Sequence, residues 1–442
     1  MLLSFRAVNH RSIRDEQHLN LAPVYDADRP PGTKWPAVPV AAIYGANASG
    51  KSNLLDAFCY LQTMVLRSDQ EAEPGLGVRR FPFALDPEVG AEPSSFDIDV
   101  TIDGTHHSYG FSVDDDRVVE EWLYRYPNKR RQVVFFRDGQ DFRFGTTARP
   151  DLREAVGITA RNALFASVAA RAGKDDVFPL YAWLRSTPAG PSRSFGRTRQ
   201  SRQLPLLMRL ERLLLSESHR QAVLGLLRAV DFGIEDVRVD YLEFDDWPEA
   251  EKKSWREYQA TRVEDEPEPT RAPRQRRTVF EMHGAKPGAT LQLGDQSDGT
   301  RVFLERITVV LDVLRSGSLM LIDELESNLH PNLAGQIVRL FQDASTNPHG
   351  AQLVFTTHDT SLLGSNAEVL KRDQIWFVEK EYSSGASRLF PLTDFKPRDN
   401  ENTERRYRSG SYRAVPFIDE EVALSAVQRF LDEREASGRD DG

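Results

Sequence analysis

The chain is almost without cysteine: Cys59 is the single thiol among 442 residues, so neither an intrachain disulfide nor a cysteine-built metal site can form. Its place in an apolar stretch favours a buried structural thiol over a nucleophile. Long apolar runs are missing too. None approaches the roughly 20 residues a helix needs to cross a bilayer, and the N-terminus, MLLSFRAVNHRSIRDEQ, has neither the apolar segment nor the cleavage site of an export signal. These absences read as a cytoplasmic protein with no membrane partner. An excess of positive charge is lacking: 57 Lys and Arg stand against 67 Asp and Glu, a formal net charge of −10. That balance argues against non-specific coating of nucleic acid and leaves room for a local basic face. With 40% hydrophobic and 28% charged residues, the rest describes a globular chain too long for one ordinary core, so two or three subdomains are expected.

What is present is organised around residues 41–55, AAIYGANASGKSNLL, where Gly45-Ala46-Asn47-Ala48-Ser49-Gly50-Lys51-Ser52 matches the phosphate-binding pattern G-x-x-x-x-G-K-S. A strand-like apolar run, 38–43, precedes it. Helical spacing follows over 53–66, with Leu54, Leu55, Phe58 and Leu61 on one side. Between strand and helix the chain must turn tightly, bringing successive backbone N–H groups around phosphate oxygens at the positive helix end; glycines permit this because they carry no Cβ. On this reading Gly45, Asn47, Ser49, Gly50 and Asn53 cradle ATP, Lys51 reaches the β- and γ-phosphates, and Ser52 holds Mg²⁺. An accidental glycine-rich turn is the bland alternative, and the strand–helix setting speaks against it.

Around this centre the spacing predicts two strands, 2–8 and 13–21, joined by the polar turn Asn9-His10-Arg11-Ser12. Short β-rich runs at 95–102, 108–113, 118–126, 132–137 and 142–144 predict an antiparallel β subdomain. Residues 151–186 and 203–230 read as helical, the latter carrying Leu206, Leu207, Leu210, Leu213 and Leu214. From 245 to 277 the Glu, Lys, Arg and Pro content reads as an exposed, flexible loop, and the tail 432–442 as fraying. The expected organisation is an N-terminal lobe, 1–150, a helical insertion, 151–277, and a C-terminal lobe, 278–442.

The C-terminal lobe carries a second block, GSLMLIDELESNLH at 317–330: a buried parallel strand ending in Asp323 and Glu324. The first acid suits orientation of a Mg²⁺ shell; the second, as general base, suits polarisation of the attacking water. Another apolar strand, 351–357, ends at His358, which at a strand's carboxyl edge can stand beside the γ-phosphate. Before these strands, Ser297-Asp298-Gly299-Thr300-Arg301 opens a helical stretch, 302–315, so Ser297 and Gly299 mark a second anion-binding helix start.

In this order, Walker A, S-D-G-T-R, Walker B, Glu326-Ser327-Asn328-Leu329-His330-Pro331 and a switch histidine resemble the ATPase heads of the ABC superfamily, nearer to SMC-like and OLD-like heads than to transporter subunits. With the late segment 401–417, ENTERRY through YRAVPF, they resemble the RloA-like ATPases of bacterial abortive-infection loci. The resemblance implies an α/β P-loop fold of the ABC type with an antiparallel β subdomain and an inserted helical subdomain. It also implies catalytic roles for Lys51, Glu324 and His358, a Mg²⁺ site at Ser52 and Asp323, and an ATP-promoted head-to-head dimer in which Ser297 and Gly299 complete the partner's site. A separate effector such as a nuclease is the partner it implies. Two features depart from transporter subunits: Asp298 stands where they carry glycine, and no Q-loop glutamine is assigned before residue 150.

Two other classes are weighed. An OLD-like nuclease needs a TOPRIM module with a glutamate after one strand and Asp-x-Asp after another; Glu379 after 375–378 imitates the first element, and no Asp-x-Asp strand follows. A DNA-binding scaffold is suggested by Arg79-Arg80, Lys129-Arg130-Arg131, 193–202 and 271–277, clusters that usually mark solvated faces.

Overall fold

A computed structural model describes residues 1–73, 75–188, 200–230, 232–260, 275–364, 369–398, 401–414 and 420–437. Its strands are β1 (Leu2–Val8), β2 (Gln17–Asn20), β3 (Val40–Tyr44), β4 (Ser94–Ile102), β5 (Thr105–Val113), β6 (Val118–Tyr126), β7 (Gln132–Asp138), β8 (Asp141–Phe144), β9 (Ile234–Leu242), β10 (Gln275–Met282), β11 (Leu291–Gln292), β12 (Leu319–Ile322), β13 (Gln352–Thr357), β14 (Ile375–Lys380) and β15 (Ser387–Pro391). They form three sheets, ordered β2-β1-β4-β5-β6-β7-β8, β11-β10-β9 and β12-β13-β3-β14-β15.

The last sheet carries the nucleotide motifs. β12, β13, β3 and β14 run parallel, and β15 closes the edge antiparallel. All five residues of β3 are buried, because both faces are covered, and successive side chains point to opposite faces. Ala41 and Ile43 therefore enter one core, together with Leu321 and Val378. Val40, Ala42 and Tyr44 enter the other, together with Met320 and Phe377.

The first core lies between this sheet and the seven-stranded antiparallel sheet, filled by the 21-residue helix Lys51–Glu71 and the helices Phe165–Arg171 and Phe178–Ser186. Gln352 joins the two sheets: it accepts from Leu2 N and donates to Leu2 O at 2.9 Å and Val38 O at 3.1 Å. The second core is covered by Asp298–Ser316 and Pro331–Gln342. Ser297 caps the former helix and Gly317, at φ +65°, ends it, since a Cβ there would meet His349 O at 2.6 Å.

Several elements differ from expectation. The segment 203–230 is two helices, Gln200–Leu214 and Glu217–Ala229, because Ser216 takes an extended N-cap conformation between them. Strand β9 was not foreseen; its alternation is short and charged, and it is stabilised by pairing with β10. Within 245–277, expected as a flexible loop, Glu249–Ala260 is a helix and 275–277 begins β10; residues 261–274 lie outside the described residues. Intrahelical pairs such as Lys252–Glu249 at 3.0 Å hold that helix, and its Trp255 meets Trp247, which packs on Phe244, so one ring anchors an otherwise charged segment. Of the tail, 432–437 continues the helix Glu420–Ser437, and 438–442 lie outside the described residues. Residues 151–186 belong to the first core and 210–237 to the second.

Candidate nucleotide site

Three parallel strands deliver the motif residues to one carboxyl edge of the sheet: β3 runs into Gly45–Lys51, β12 into Asp323 and Glu324, and β13 into His358. The loop leaving β3 needs unusual backbone. Ala48 has φ +62° and Gly50 φ +106°. A Cβ on Gly50 would lie 1.9 Å from Ser387 Oγ, and one on Gly45 would lie 2.3 Å from Val378 O, so the loop is seated directly on β14 and β15.

A hydroxyl chain supports that seat. Ser387 Oγ donates to Ser49 O at 2.6 Å and lies 2.7 Å from Ser12 Oγ, to which Asn53 Nδ2 donates at 2.7 Å. Asn53 thus braces the loop from behind, and Asn47 is exposed at its tip. Ser49 Oγ is buried with no hydrogen-bond partner among the described residues.

Lys51 is buried, and its ammonium donates to Gly45 O at 2.8 Å and Ala46 O at 3.0 Å. Burial lowers its pKa to about 8, against the opposing pull of Asp323, Glu324 and Glu326. Ser52 Oγ donates to Asp323 Oδ1 at 2.9 Å, joining the two motifs across 271 residues. The same carboxylate oxygen accepts from Thr356 Oγ1 at 2.6 Å, while Thr356 Oγ1 accepts from Glu324 N at 2.8 Å.

Glu324 is exposed and has φ +54°, a conformation that costs a non-glycine residue on the order of 1–3 kcal/mol and clusters at functional sites. Its carbonyl accepts from Ser327 N at 2.9 Å and Arg306 Nη2 at 3.2 Å, which hold the bend. His358 is exposed; partial burial, then the Lys51 charge, hold its pKa below the ordinary histidine value, against the opposing pull of Glu326, Glu324 and Asp323. Its backbone N–H donates to Glu326.

Beyond the loop lies an open cleft of about 460 Å³, lined by Gly45, Ala46, Asn47, His358, Thr360, Tyr407 and Arg408. Ser297 and Gly299 stand elsewhere. Ser297 is exposed and its Oγ accepts from Thr300 N at 3.1 Å, capping its helix. A Cβ on Gly299 would lie 3.4 Å from Asn328 O. No hydrogen bond among the described residues joins either to residues 45–52.

The arrangement suits a polyphosphate carrying a divalent cation. An orphaned buried hydroxyl, an ammonium held only by neutral carbonyls, and a loop that a Cβ would fill together form an anion cradle, and Ser52 with Asp323 offers hard oxygen donors.

Residues 40–364 match the family described as "AAA domain, putative AbiEii toxin, Type IV TA system". The chain belongs to this family. The matched AAA domain runs from β3 through the turn after His358 and contains both acids. Among solved structures, the chain is similar to the SMC head domain from Thermotoga maritima, at 14% identity and a TM-score of 0.40, covering 88% of this chain and 98% of that one. No curated protein matches the sequence. Glu379, the residue that imitated a TOPRIM element, lies on β14 in the nucleotide sheet, 3.9 Å from Arg388.

Sequence reasoning missed Thr356, Ser12, Ser387 and Arg306. Isolated hydroxyls and one helical arginine carry no spacing signal; they become visible only when the strands align. For Thr356 the signal was its place two residues before a strand-end histidine.

Proposed function

We propose that this chain is an ATP-binding and ATP-hydrolysing conformational switch of the ABC-head kind, the sensor or motor of a bacterial anti-phage system whose toxic activity resides in a separate effector. The observation that carries the ATPase reading is the Ser52–Asp323 hydrogen bond at 2.9 Å, with Glu324 held beside it by Thr356. Loop N–H groups and the helix start at Lys51 receive the inner phosphates, and Lys51 receives the outer ones. Ser52 and Asp323 are the residues that would hold Mg²⁺, which when bound supplies neutralisation of phosphate charge. Glu324 accepts a proton from the attacking water, and Asp323 keeps the seryl hydroxyl oriented.

Lys51→Ala should abolish nucleotide binding, whereas Glu324→Gln should retain it and lower hydrolysis by roughly 100-fold or more, the scale of a lost general base. Phosphate release and equilibrium binding, measured on both variants, check this. Hydrolysis at the wild-type rate in Glu324→Gln would show that another group accepts the proton.

The separate effector rests on the resemblance of the motifs to RloA-like ATPases; the family description names a putative toxin of a TA system, so toxic activity in this chain itself is the second reading. The checking experiment is phage challenge of cells carrying the intact locus or this chain alone; full protection by the chain alone would refute a separate effector.

A further inference from the structure

The nucleotide cleft has a second wall whose role the motifs leave open. The short helix Thr403–Arg408 is fastened to the sheet by Tyr407, which stacks on Phe377 with ring centroids 5.7 Å apart and meets Tyr44 edge-on at 5.6 Å. Tyr44 is the last residue of β3, immediately before Gly45. The next residue after the anchor, Arg408, is therefore presented to the cleft from a platform fixed to the strand that bears the phosphate loop.

Arg408 lines the cleft together with Asn47 and His358. Its side chain is 67% exposed and only lightly held: Nη2 and Nε donate to Thr360 Oγ1 at 2.9 and 3.2 Å, and Nη2 lies 3.1 Å from Glu404 Oε1. Exposed pairs of this kind contribute little. Nη1 has no hydrogen bond among the described residues. Gly45 and Ala46, whose carbonyls accept from the Lys51 ammonium, line the same cleft as Arg408, so the cleft begins at the phosphate loop and ends at this guanidinium.

We propose that Arg408 binds the terminal phosphate of ATP in cis and so distinguishes ATP from ADP, an inference that rests on the ATP-site reading above. A guanidinium pairs with phosphate through two parallel N–H···O bonds and is charged at every working pH. The dianionic terminal phosphate displaces the weak contacts to Thr360 and Glu404. Thr360 lies two residues beyond His358, and its hydroxyl also donates to Glu404 Oε1 at 3.2 Å, so the exchange removes the Arg408 tie to the switch segment when ATP is bound, leaves the Glu404 tie, and restores the former after ADP is formed.

Binding of Mg²⁺–ADP and of the Mg²⁺ complex of the imido analogue of ATP is measured by calorimetry on the wild type, Arg408→Ala and Arg408→Gln, with thermal melting as the folding control. The expected result is that both variants bind the ATP analogue about tenfold or more weakly, as loss of a charged hydrogen bond implies, with ADP affinity within about twofold of wild type. Equal weakening toward both nucleotides, or toward neither, overturns the assignment while leaving the site reading intact. A wild-type chain that binds neither nucleotide overturns the site reading and this inference with it.

Discussion

Lys51 shows how one side chain sets a measurable property of the site. Burial lowers its pKa to about 8, so in the free protein the ammonium loses its proton as pH rises through that value. A polyphosphate favours the charged form and raises the pKa in the complex, so between the two values binding takes up a proton and affinity falls as pH rises. The phosphates themselves are fully ionised there, since their last ionisation lies near pH 6. Affinity for Mg²⁺–ATP should be flat below pH 7.5 and weaken above pH 8 by up to about tenfold per pH unit, the limit for one coupled proton. Calorimetry in two buffers of different ionisation enthalpy reads the proton uptake directly, and constant affinity from pH 7 to 9.5 would refute the shifted lysine. Thr356 matters at the same scale: one hydroxyl satisfies both Asp323 and the Glu324 N–H. Its loss would strand a polar group at a cost of about 1–3 kcal/mol.

At the scale of elements, the sequence was most legible where burial on both faces or a glycine-rich turn forces a short-range pattern. β3, β12 and β13 are apolar runs because helices or the second sheet cover each face, and the residues after them share one edge because the strands are parallel. The antiparallel sheet was legible for a different reason: β4 alternates buried with half-buried residues and meets β5 through the turn Asp103-Gly104, both at positive φ. Its joining to the N-terminal hairpin was not legible, because β1 pairs with β4 across about 90 residues and no local pattern encodes a partner that distant. The helix Glu249–Ala260 escaped for the opposite reason: ion pairs on an exposed face give composition without apolar period. Arg137 belongs to this class as well. It is fully buried, 3.6 Å from Glu121, and donates to Gly139 O and Ala163 O, tying β7 to the segment before Phe165–Arg171. Nothing in a charged residue's sequence context marks such a position.

For the whole molecule the remaining question is how one chain's site is completed. Ser297 lies exposed at the start of its helix, and Gly299 packs beside Asn328 rather than beside the phosphate loop of the same chain. That placement supports the reading, drawn from the ABC-type resemblance, in which these residues meet the nucleotide of a second copy in an ATP-promoted head-to-head dimer. ATP then favours the closed pair by its differential affinity for closed over open states, and Glu324→Gln should accumulate the dimer in light scattering. Mixing separates sharing from self-sufficiency. A Lys51→Ala chain has an intact Ser297, and a Ser297→Arg chain has an intact phosphate loop. If sites are built in trans, the mixed dimer pairs the working loop of one with the working serine of the other and carries one live site of two. With random assortment half the dimers are mixed, so hydrolysis should recover to roughly a quarter of wild type in a two-fold symmetric pair. If each chain used its own Ser297, every site in the mixture would hold one lesion. Activity of the mixture no higher than that of the separate variants would therefore place Ser297 outside a shared site.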